Sequence, residues 1–113
     1  MTDNQIRRKI KLEYEERRNK LENDFQCRQD VLDSEIERLR TDINYHSHLM
    51  RNGDEGARLK ALELGNQLSE LRSAKTRLDY ERRCAIVALK RERAEQLLQY
   101  ETTRCERKEA CHE

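Results

Sequence analysis

Large apolar residues recur at a spacing of eleven along this chain. Ile10, Leu21, Leu32 and Ile43 form one series, and Tyr14, Phe25 and Ile36 form a second, offset by four. Leu78, Leu89 and Tyr100 repeat the spacing further on. Eleven residues make about three α-helical turns, so each series draws a nearly straight stripe along a helix. Leu64, Leu71 and Leu78 step by seven instead, the period that winds paired helices left-handed. The pattern predicts an all-α protein.

Local signals set the ends of the helices. Thr2 and Gln5 have the spacing of a capping box, with Met1 and Ile6 at the positions of a hydrophobic staple around it. A first helix is predicted over about residues 3–50. Asn52-Gly53-Asp54-Glu55-Gly56 is a turn-like cluster. Gly53 can take positive φ to end one helix, and Asn52 or Asp54 can cap the next. A turn over about 51–56 and a second helix over about 55–108, with a frayed C-terminus, complete a single coiled-coil domain spanning 1–113. Gly65 lies inside the second helix, as a tolerated small residue, a close helix contact or a bend.

Folding the helices back antiparallel makes the stripes meet. If facing residue numbers sum to 107, Ile43 faces Leu64, Leu39 faces Leu68, Ile36 faces Leu71, Leu21 faces Ile86 and Ile10 faces Leu97. The predicted intra-hairpin core is therefore Ile10, Tyr14, Leu21, Phe25, Leu32, Ile36, Leu39 and Ile43 on the first helix. Leu64, Leu68, Leu71, Leu78, Ile86, Leu89, Leu97 and Tyr100 supply the second. The expected fold is a long antiparallel two-helix coiled-coil hairpin.

Composition narrows this further. Only 35% of the 113 residues are hydrophobic and 4% aromatic, too few for an ordinary globular core, while 42% are charged and proline is absent. Periodicity and a net charge of +1 argue against disorder. Residues 1–53 carry 11 basic and 11 acidic side chains and residues 54–113 carry 13 and 12, so no one-signed tail draws a nucleic acid or a membrane surface. No apolar run approaches the roughly 18 residues of a membrane span, and the start lacks an apolar signal segment. These features predict a cytoplasmic protein with reduced cysteines.

Candidate chemistry is sparse. His46 and His48 point to different sides of a helix, His46 on or beside the stripe. Cys105, Cys111 and His112 converge on a metal only if the C-terminus unwinds, and Cys27 and Cys84 read as two semi-buried thiols. Arg82, Arg93 and Arg104 extend the stripe at spacing eleven, with Arg82 expected over Phe25 and Arg93 over Tyr14. Glu13–Arg17 and Asp24–Arg28 have the spacing of intrahelical ion pairs. No nucleophile–base set, phosphate loop or paired-carboxylate pocket is legible. The expectation is no enzyme, no metal, no cofactor and no small-molecule substrate.

Apolar residues off the stripe predict a partner. Tyr45, Leu49, Leu59, Leu62, Val87 and Leu98, with Arg82 and Arg93, form the candidate partner interface. Two hairpins docked antiparallel into a four-helix bundle would cover them. The functional expectation is a non-catalytic interaction or assembly protein, a scaffold or adaptor binding itself or another protein. The alternatives are a stalk or coupling subunit of a larger export or motor machine and, behind it, a nucleic-acid-associated coiled coil.

Overall fold

The computed structural model describes the backbone of residues 2–112 and the side chains of residues 2–107. The staple position of Met1 lies outside the described residues, and the Cys111 and His112 side chains lie outside the described side chains. Among the described residues there are two helices, α1 (Asp3–Arg51, 49 residues) and α2 (Glu55–His112, 58 residues), and no strand. The fold is all-α, a helical hairpin.

Both helix starts are held by side chains. The Thr2 amide donates to Gln5 Oε1 at 2.9 Å and the Gln5 amide donates to Thr2 Oγ1 at 3.3 Å, a reciprocal capping box. Asp54 Oδ1 accepts from the Ala57 amide at 3.2 Å and so caps α2. Between them the chain reverses through a Schellman motif. The Asp54 amide donates to the Leu49 carbonyl at 3.2 Å and the Gly53 amide to the Met50 carbonyl at 3.0 Å. Gly53 has φ of 93°, where any Cβ is strained. Gly65, by contrast, sits in uninterrupted helix, and a Cβ there would meet nothing within 4 Å. It marks neither a bend nor a close helix contact.

The chain divides into two units, described separately: a turn unit, Asp24–Glu81, and a terminal unit, Met1–Asn23 with Arg82–Glu113. In the turn unit Ile36, Leu39, Ala57, Leu64 and Leu78 are buried, and Phe25, Leu32, Ile43, Leu68 and Leu71 are half-buried. In the terminal unit Tyr14, Ile86 and Leu89 are buried, and Ile10, Leu21, Leu97 and Tyr100 half-buried. Each full burial of such a side chain contributes about 1.5–3 kcal/mol. Even Leu39, 3% exposed, keeps some water contact, because two helices alone cannot surround a side chain.

Ion pairs flank both cores. In the turn unit Lys75 Nζ donates to Asp33 Oδ1 at 2.6 Å and Arg28 pairs with Glu81 at 3.3 Å. In the terminal unit Arg17 pairs with Glu92 at 2.8 Å and Arg82 with Glu22 at 2.9 Å. Arg17 and Arg28 thus reach across to α2, where the sequence placed them against Glu13 and Asp24 on their own helix. The pairs run from Asp3–Tyr100 to Arg28–Glu81, with number sums of 103 to 109 that straddle 107.

Candidate functional site

The arginines singled out by the sequence are occupied within the terminal unit. The Arg93 guanidinium lies 4.2 Å from the Tyr14 ring centroid, a cation–π contact. Arg82 donates to both Glu22 carboxylate oxygens, at 2.9 and 3.3 Å. The cation over Phe25 is Arg28, at 5.2 Å, rather than the expected Arg82. Arg28 is three residues along the same helix, so it reaches the ring without crossing to α2.

A polar cluster joins the helix ends of the terminal unit. The Tyr100 hydroxyl donates to Asp3, and Arg104 Nε lies 3.0 Å from the other Asp3 carboxylate oxygen without hydrogen-bond alignment. Arg7 Nε donates to Glu101 at 3.1 Å. The bond to Asp3, with burial second, raises the Tyr100 phenol above its ordinary value. The bond to Glu101 raises Arg7 likewise. The cluster, exposed at Asp3 and Arg7 and half-buried at Tyr100, Glu101 and Arg104, ties α1 to α2.

The remaining titratable groups are scattered. His46 is half-buried, its Nδ1 without a partner and its ring edge-on to Tyr45 at 5.3 Å, while His48 is exposed. Cys27, Cys84 and Cys105 are free and exposed. The expectation of semi-buried thiols at Cys27 and Cys84 is corrected. Each lies two residues from a core residue, Phe25 or Ile86, and two residues are about 200° of helix. Among the described residues no three His, Cys, Asp or Glu side chains come together as metal ligands, and no helix is long and apolar enough to cross a membrane.

Both helices expose large apolar residues on the surface facing away from the hairpin core. On α1 the exposed large apolar residues are Leu12, Val31, Tyr45 and Met50. Leu12 is ringed at helical spacing by Arg8, Lys9, Glu15 and Glu16, whereas Val31 and Tyr45 lie on an exposed run, Cys27, Val31, Ser34, Arg38, Thr41, Tyr45 and His48, that steps by three and four with Arg38 its one Asp, Glu, Lys or Arg. Leu49, expected at the interface, is half-buried, and its carbonyl accepts from the Asn52 and Asp54 amides at the reversal.

On α2 the exposed residues line up. In the turn unit Leu59, Leu62, Asn66, Ser69, Ser73, Thr76 and Tyr80 step by three and four, all exposed and all uncharged. Leu59 is 71% and Tyr80 69% exposed. In the terminal unit Cys84, Val87, Arg91, Ala94, Leu98, Thr102 and Cys105 have the same spacing and exposure, with Arg91 the single charge. Between Leu62 and Tyr80 the small side chains leave a groove of about 640 Å³ lined by Asn66, Ser69, Glu70, Ser73 and Arg77. A second groove in the turn unit, about 410 Å³, is lined by Val31 and Leu32 of α1 and Ala74 and Leu78 of α2, with Arg28, Arg77 and Glu81. Sequence reasoning found Leu59, Leu62, Val87 and Leu98 but missed Tyr80 and the small polar residues between. The signal was an absence of charge at helical spacing in a chain that is 42% charged.

Comparison with family models, with curated proteins and with solved structures returns no match for the chain.

Proposed function

We propose that this chain is a non-catalytic interaction or assembly protein, a cytoplasmic scaffold or adaptor that works through helix–helix contacts, as a homodimer or on another protein. The observation that carries the reading is the exposed, almost uncharged stripe on α2. An ordinary solvated helix face in so charged a chain would carry Glu, Lys and Arg. A contiguous apolar and small-residue stripe instead matches the surface that a packed helix requires. At about 25 cal/mol per Å², covering a few such side chains supplies several kcal/mol toward association.

Sedimentation equilibrium of the full chain at micromolar concentration tests it. Twice the 13.7 kDa chain mass is expected. Replacing Leu62 and Leu98 with Glu should return the protein to one chain with its helicity largely kept. A monomeric parent would rule out the homodimer and leave another protein as the occupant of the stripe.

A further inference from the structure

We draw no further inference here: the strongest candidate, the exposed uncharged face of α2 between Leu59 and Tyr80 in the turn unit with the groove lined by Asn66, Ser69 and Ser73, carries nothing beyond the association already proposed, because nothing in the structure shows what covers it.

Discussion

α1 and α2 resemble each other on the faces they turn toward one another and differ on the faces they turn away. Leu39 on α1 and Leu89 on α2 are equally at home in their units' cores, and both helices begin with a side-chain cap. Yet the exposed Leu12 of α1 stands among charges and the α1 run through Val31 and Tyr45 carries Arg38, while on α2 in the turn unit only Asn, Ser and Thr lie between Leu62 and Tyr80. A helix that needs one partner requires one uncharged face, and a helix built for two requires two.

The largest effects should fall on the shared inner face. Leu39→Ala and Leu89→Ala are each expected to cost about 2–5 kcal/mol in urea unfolding. A marked inequality would break the resemblance from which the comparison starts. Next come the caps. Asp54→Ala should cost about 1 kcal/mol, since the Ala57 amide loses its acceptor, and Thr2→Ala about the same, since the Gln5 amide loses its acceptor. On the outer face of α1, Val31→Glu should change stability by less than about 0.5 kcal/mol and leave association untouched.

The smallest effect is a pH dependence in the terminal unit. The Tyr100 phenol is raised above its ordinary value of 10.0, first by its bond to Asp3 and then by burial. The folded chain therefore binds this proton more tightly than the unfolded one. The contribution is whole below pH 10 and is lost as pH rises through the raised value. Urea midpoints measured between about pH 9 and 11 should fall less steeply for Tyr100→Phe than for the parent.

Much of the hairpin is legible in the chain because helices announce themselves locally. Thr2 and Gln5 bond as their spacing requires, and Gly53 takes positive φ where the turn needs it. Ile36, Leu39 and Leu64 are buried as their period demands, and the cross-helix pairs fall around the expected register. What escaped depends on side-chain choice among near-equal partners. Arg28 could reach Asp24 or Glu81, and only the packed helices decide between them. The exposure of Cys27 and Cys84 escaped because a thiol near a stripe looks the same in sequence whichever way it points. The α2 stripe was half visible. Leu59, Leu62, Val87 and Leu98 stood out as apolar, but Ser69 and Ser73 register in no search for hydrophobic residues.

The central claim is that the outer face of α2, and not that of α1, is the association surface. Sedimentation equilibrium of two matched variants tests it most directly, Leu62→Glu with Tyr80→Glu on α2 and Leu12→Glu with Val31→Glu on α1. The account predicts a monomer for the first and an undiminished dimer for the second, each as helical as the parent. A dimer that survives the α2 changes and is lost with the α1 changes would contradict it.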